Sequence, residues 1–331
     1  MTFMPITESE HGTNSVFLTN DSGFVVEVSP FGATIRSLQW HQQELTLTYP
    51  KPQDYLANPA YLGATVGRYA NRIAQGRFHF QQQEHHLATL GGSHCLHGGD
   101  GFSHRLWQVV SLQANSVELF LHSPDQDQGF PGDVSVWQRI WLDGQSVHIE
   151  YRASTQSATI LNLTNHCYFN LDGRADIQAH QLQIFAAQYL PIDATLIPVG
   201  QLQTVADTPF DFRKPSTIGD KLLQNDPQLQ LAGGFDHCYV FAADGQLKKM
   251  ARLYSPHSGI ALTVSSTLPG MQFYSGQGLT APLSPLQGLC LEAQFWPNSP
   301  NQTAFPSTVL SAGQVWSHRI VYDFSRPLSP N

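Results

Sequence analysis

The chain's most constraining feature is a run of short apolar segments whose side chains alternate with polar ones at every second position. Val16-Phe17-Leu18 is followed by Asn20-Asp21-Ser22-Gly23, then by Phe24 to Val28 and by Ala33 to Trp40. The same alternation returns at Phe78/Phe80, Val117/Leu119/Leu121, Val147/Ile149/Tyr151, Ile260/Leu262/Val264 and Ile320/Tyr322/Phe324. Successive side chains of a strand point to opposite faces, so this pattern buries one face of each strand. Asp143-Gly144, between Val136–Leu142 and the Val147 alternation, is a short-range hairpin signal, and Asp244-Gly245 repeats the device after Tyr239-Val240-Phe241. The one passable helix is short, from about Ser216 to Leu223, with Ser216 as a candidate N-cap. The 21 prolines and 26 glycines are spread without a cluster and punctuate elements rather than marking a linker. The expectation is an all-β fold, one large antiparallel β-sandwich domain over residues 1–331 with few short helices.

Composition narrows the partners. A 41% hydrophobic fraction supports a large core, while only 13% of residues are charged and the formal net charge is -8. That balance argues against nucleic-acid and anionic-membrane partners, which require a basic footprint, and fits a neutral small ligand. Met1 to Gly12 carries no basic or apolar region of a secretory signal, and no apolar run approaches a membrane span. Cys95, Cys167, Cys238 and Cys290 are far apart and too few to staple the chain. They read as free thiols of a cytoplasmic protein, a monomer or weak homodimer, in which the sequons at Asn162 and Asn301 carry no glycan.

Five stretches depart from the alternation and concentrate polar groups. In Gly67-Arg68-Tyr69-Ala70-Asn71-Arg72-Ile73 the arginines either fork onto ligand hydroxyls or bond loop carbonyls. Leu96-His97-Gly98-Gly99-Asp100-Gly101 lacks the Gly-Lys-Ser/Thr of a phosphate loop; it is either a glycine-rich turn or a loop approaching a ligand closely. In Asn162 to Leu171, read as one strand, Thr164, His166 and Tyr168 share a face and Cys167 and Phe169 the other. Gly233-Gly234-Phe235-Asp236-His237-Cys238 offers Asp236 as a hydroxyl ligand or a turn cap. In Gly288 to Gln294, Glu292 interrupts an apolar run. A carboxylate there is costly unless paired, which favours a functional reading.

If these stretches are strands, Cys95/His97, Asp236/Cys238 and Cys290/Glu292 are i,i+2 pairs, and Cys167 adjoins His166. That invites a metal reading, but no Cys-X-X-Cys or His-Glu-X-X-His is present, and small thiols packed beside a site explain the pattern better. No Gly-X-Ser-X-Gly elbow and no Gly-X-Gly-X-X-Gly after a strand occurs. His85-His86 lies in a Gln-rich stretch and reads as a solvated turn.

Together with Pro269-Gly270-Met271-Gln272-Phe273-Tyr274, these stretches resemble the aldose 1-epimerase (galactose mutarotase) family, in the family's order and over about residues 15 to 325. The resemblance implies a β-sandwich with a free sugar in an open cleft on one sheet and no cofactor or metal. By motif position it implies Glu292 as general base and His166 as general acid. It places Asn71, Arg72, His97, Tyr168, Asp236 and Gln272 against the sugar hydroxyls and ring oxygen. The chain departs from the family at Ser275-Gly276-Gln277, at Trp296-Pro297-Asn298 and in the proline-rich loop from Gln277 to Gly288, which bears on sugar preference.

Anomer interconversion needs a proton taken from the C1 hydroxyl and one given to the ring oxygen, which one carboxylate and one imidazole provide. The expectation is a His166 pKa of about 6.5 raised by the carboxylate, and a Glu292 kept ionised by Arg72 or other donors. His97 is a second candidate for the ring-oxygen proton. The rival readings are a sugar-binding sandwich without catalysis, which has no need for Glu292 and His166 together, and a glycoside hydrolase using Asp236 and Glu292.

Overall fold

The computed structural model describes residues 15–326. Its strand pairings are antiparallel throughout the named strands, and they build two main sheets. The larger has nine strands, centred on Val134–Asp143, Ser146–Ser154, Val315–Ser325 and Ala261–Ser266. The smaller has six, in the order Tyr168–Phe169, Leu289–Gln294, Gly270–Tyr274, Asp236–Val240, Gln188–Tyr189, Gln203–Thr204. One apolar cluster takes Val136, Ile140, Ile149 and Tyr151 from the first and Met271, Phe273, Leu289 and Leu291 from the second. This is the sandwich the period of two demands, because each sheet has only one apolar face to bury. The hairpins of residues 16–44 form a separate four-stranded sheet whose inward side chains, Val26, Val28 and Leu38 among them, join the same cluster.

Asp143-Gly144 closes a hairpin in which Asp143 faces Ser146, as expected. Asp244-Gly245 does not. The strands on either side of it, Asp236–Val240 and Lys248–Tyr254, belong to different sheets, so the turn carries the chain across the sandwich. An Asp-Gly turn fixes local backbone only; the partner of each flanking strand is chosen by core packing. The helix expected from Ser216 begins later, at Ile218–Leu222, because Ser216–Thr217 pairs with Gln181–Leu182. Thr217 is its N-cap and makes no side-chain capping bond. A second helix, Pro227–Ala232, has the usual punctuation: Asp226 accepts from the Gln228 and Leu229 amides, and Gly233 ends it at φ 65°. His85 and His86 lie in the strand Gln83–His86 rather than in a turn, with the His85 ring stacked 5.2 Å from Phe78.

Three of the polar stretches are locked together by backbone contacts. The Asn162 side chain donates to the carbonyls of Ala70 and Phe295 and accepts from the Phe295 amide, while its backbone bonds Arg68 and Ala70. Gly98 is pressed against Gly67 and Arg68: a Cβ there would lie 2.3 Å from the Gly67 carbonyl oxygen, and its φ is +80°. Gly98 and Gly101 thus serve close packing of backbone on backbone.

Arg68 settles on its structural reading. It is 2% exposed, and its guanidinium donates to the carbonyls of Pro131, Gly132, Ser123 and Pro124. Burial lowers its pKa to about 10, with Asp127, Asp125 and Asp133 holding it up, so the group stays charged at neutral pH. Arg68→Met leaves those carbonyls without a donor and costs roughly 3 kcal/mol or more of stability, read as a lower urea midpoint at unchanged slope.

Candidate functional site

The site lies on the outer face of the six-stranded sheet, and its position follows from alternation along one strand. In Leu289–Gln294, Leu289, Leu291 and Ala293 belong to the main apolar cluster, so Cys290 and Glu292 point to the other face. Cross-strand register then sets their neighbours. Tyr168 and Tyr274 both stand opposite Cys290, Asp236 stands opposite Tyr274, and Gln272 stands opposite Glu292. A carboxylate, an amide, a second carboxylate and two phenols thereby occupy one patch.

The stretch from Asn162 to Leu171 is not one strand. Thr164–Asn165 pairs with Thr65–Val66, the backbone bonds of His166 go to Gly63 and Ala64, and Tyr168–Phe169 then joins Leu289–Cys290. Alternation survives the change of partner: Cys167 and Phe169 enter the core, and His166 and Tyr168 face a cleft of about 550 Å³. Thr164, expected beside His166, is fully buried and does not line the cleft.

Asn71, Arg72, His97, His166, Tyr168, Asp236 and Glu292 all line this cleft. The His166 Nε2 is 3.7 Å from the Glu292 Oε2, with both residues buried. The Arg72 Nη1 lies 3.5 Å from the Asp236 Oδ2, and the Gln272 Nε2 donates to the Asp236 Oδ1 at 2.6 Å. Gln272 sits beneath Asp236 and is not part of the lining; its Oε1, like the Glu292 Oε2, has no protein hydrogen-bond partner among the described residues. Asp236 is thus a strand residue held by two donors, not the cap of a turn. Sequence reasoning missed Tyr61, which sits in the cleft at φ 55° with its ring 4.6 Å from His97 and 6.0 Å from His166. A bulky residue held at positive φ marks a special position, but only coordinates reveal it. Tyr49, Asp54, Leu196, Leu279 and Leu283 also line the cleft.

The electrostatics differ from the expectation. Burial pushes His166 down to about 4 rather than up, because desolvation disfavours the imidazolium. Burial also raises Glu292 well above the usual carboxyl range; Asp236 adds to that rise and Arg72 opposes it without cancelling it. Both groups are driven toward their neutral forms by burial. His97 is lowered well below its usual value by burial, by His166 and by Arg72. Its Nδ1 accepts the Asn71 amide at 3.2 Å, which leaves the neutral ring its hydrogen on Nε2.

Donor atoms of His97, His166 and Glu292 lie within 4.8 Å of one another, a spacing that would suit a cation. The hydrogen bond at the His97 Nδ1 argues otherwise, since a ring accepting there keeps a proton on Nε2 and offers no free lone pair. The cysteines do not gather into a ligand set either. Cys167, Cys290, Cys95 and Cys238 fall in four different apolar clusters, all as free thiols.

A family model described as aldose 1-epimerase matches residues 14–323. The chain is 39% identical to galactose mutarotase of Mus musculus over 330 residues, 95% of each protein. It is 39% identical to aldose 1-epimerase of Escherichia coli K12 over 325 residues, 93% of this chain and 94% of that one. Among solved structures, an aldose epimerase homologue from C. elegans superposes with a TM-score of 0.88 at 30% identity, covering 94% of this chain and 99% of that one. Galactose 1-epimerase from Lactobacillus acidophilus gives 0.87 at 29% identity, with 97% of each chain covered. Fold, cleft and full-length similarity agree: the chain belongs to the aldose 1-epimerase family.

Proposed function

We propose that the protein interconverts the α and β anomers of free aldohexoses such as galactose and glucose, with Glu292 as general base and His166 as general acid. The observation that carries this reading is the pairing of His166 and Glu292 at 3.7 Å in the cleft. The anomeric hydroxyl oxygen and the ring oxygen are both bonded to C1, so an acid and a base that act on them must stand side by side. Glu292 takes the C1 hydroxyl proton as His166 gives one to the ring oxygen, and the ring C–O bond breaks to leave an open-chain aldehyde. Rotation about C1–C2 by roughly half a turn presents the other carbonyl face, and the same transfers in reverse close the ring.

The proton count fits. Neutral carboxyl with neutral imidazole, and carboxylate with imidazolium, contain the same single proton. Sugar hydroxyls entering the corner donate to the unpartnered Glu292 Oε2, and Arg72 favours the carboxylate, so binding moves the proton from Glu292 to His166. His97 serves as a fixed Nε2–H donor: charging it would require breaking its bond from Asn71. This assigns the transferred proton to His166 and leaves His97, with Asn71, Arg72, Tyr168 and Asp236, to hold the sugar. Gln272 acts through Asp236.

The cleft lining contains one basic residue of the Arg/Lys type, Arg72, already facing Asp236, which suits a neutral sugar better than a hexose phosphate. Asp236 held by Arg72 and Gln272 likewise supports a binding role over that of a hydrolase carboxylate. Among the described residues no helix is long and apolar enough to cross a membrane. The free thiols support a cytoplasmic location, and the reading is of a single-domain, monomeric or weakly dimeric enzyme working without a cofactor.

Glu292→Gln and His166→Asn are each expected to cut turnover by roughly two to four orders of magnitude. Polarimetry on freshly dissolved α-galactose and α-glucose checks this; a well-folded variant with near-normal rates removes that residue from the mechanism. The kcat/KM profile is expected to be bell-shaped. Activity falls in acid as the pair takes a second proton near the His166 value of about 4, and in alkali as it loses its only proton from the raised Glu292. Asp236→Asn removes a charge that raises Glu292, so its alkaline limb moves to lower pH, as polarimetric profiles corrected for spontaneous anomerisation would show.

A further inference from the structure

The proposed exchange turns His166 into an imidazolium, and a buried ring has little water to support that charge. Among the described residues Glu292 is the one carboxylate within ion-pair range of the ring, at 3.7 Å. The other titratable groups facing His166 are the Cys290 thiol, 3.5 Å from its Nδ1, and the rings of His97, Tyr168 and Tyr61. Burial holds both His97 and the Cys290 thiol in their neutral forms. The His166 ring's hydrogen bond to its own backbone favours the charged form without making up for burial. Two phenol rings remain. Tyr168 lies 5.1 Å from the imidazole, centroid to centroid, at an interplanar angle of 33°, and Tyr61 lies 6.0 Å away at 31°. Both are within the roughly 6 Å over which a ring face attracts a cation.

We infer that Tyr61 is a positioning residue whose ring face, together with that of Tyr168, supports the positive charge on His166 while the imidazole carries the transferred proton. The inference rests on the reading of His166 as the acid.

The backbone is built to bring this ring to that imidazole. Asn58 ties the loop: its Oδ1 accepts the Leu62 amide at 2.7 Å, and its carbonyl accepts the Tyr61 amide at 2.9 Å. Tyr61 itself stands at φ 55°, a conformation that bulky side chains rarely adopt. Just beyond it, the Gly63 amide donates to the His166 carbonyl and the His166 amide donates to the Ala64 carbonyl, each at 2.9 Å. Gly63 has φ +68°, and a Cβ there would lie 1.9 Å from the Ile35 carbonyl oxygen, so glycine alone lets the loop lie in that place. Tyr61 and His166, distant in sequence, are thus carried by one hydrogen-bonded backbone unit.

A ring face suits the task better than a second carboxylate. Burial raises the Tyr61 and Tyr168 phenols, so both rings stay neutral and add no full charge to the cleft. A carboxylate would hold His166 charged and blunt it as an acid, whereas a ring quadrupole supports the charge only in part. With His166 lowered to about 4, the imidazolium is the scarce form at neutral pH, and a group that favours it raises the active fraction.

The test grades the electron density of the ring while keeping its shape. Tyr61→Phe is compared with mono-, di- and trifluorinated phenylalanines incorporated at the same position, and with Tyr61→Leu. Spectra of 15N-histidine-labelled protein give the His166 protonation midpoint, with His166→Asn identifying its signals, and polarimetry gives the turnover. Tyr61→Phe is expected to keep both nearly unchanged. Successive fluorines are expected to lower the midpoint in steps, reaching about half a unit to one unit with three fluorines or with Tyr61→Leu, and to lower kcat by about five- to tenfold with KM little changed. The acid limb of the rate profile then moves to lower pH as its plateau falls, a combination that a merely loosened cleft does not produce. A midpoint and a turnover indifferent to fluorination in folded proteins overturn the inference, as does a Tyr61→Phe as impaired as Tyr61→Leu. An active His166→Asn would instead overturn the acid role, while the midpoints, read without catalysis, would still show whether Tyr61 supports the charged ring.

Discussion

The organising constraint is the burial of one carboxyl group, that of Glu292, on the outer face of a sheet whose inner face is core. The residue is 2% exposed, and its Oε2 has no protein donor among the described residues. An ionised carboxylate left in that condition costs several kcal/mol, and burial raises the proton affinity of the group accordingly. Everything around it bears on how that proton leaves. Arg72 favours the charge and Asp236 opposes it, while His166 waits at hydrogen-bonding range of a small rearrangement.

Holding that corner requires three segments distant in sequence to meet without slack. Asn162 does much of this, bonding the segment that carries Asn71 and Arg72 to the strand that carries Glu292. Gly98 lets the His97 loop lie directly on Gly67 and Arg68, and Arg68 gathers the carbonyls of the loop beyond. None of these three groups touches the cleft, yet each fixes a side chain that does. Their surroundings are backbone amides and carbonyls, which explains why the motifs are rich in Asn, Gly and Arg rather than in catalytic residue types alone.

Alternation made the sandwich legible, because a period of two in so many segments leaves few other ways to bury apolar surface. It also revealed Glu292 as an anomaly in Gly288 to Gln294 and set His166 against Cys167, even though the stretch proved to be two short strands. Pairing was beyond its reach. Asp143-Gly144 and Asp244-Gly245 look alike in sequence, but only the first joins neighbouring strands. Tyr61 gave no signal because its importance lies in a backbone conformation and in rings from other segments. The proton affinities were misjudged for a related reason: a carboxylate beside His166 was expected to raise it, but the depth of burial, invisible in sequence, lowers it.

The central claim is that Glu292 and His166 work as one unit on two oxygens of the same carbon. A double-mutant cycle in polarimetric turnover tests this most directly, with Glu292→Gln, His166→Asn and the two combined. Residues that act in a single concerted exchange are not additive, so the double variant is expected to turn over about as fast as the slower single variant. Losses that instead multiply, leaving the double variant slower by the product of the two single effects, would show that the residues act independently and contradict the claim.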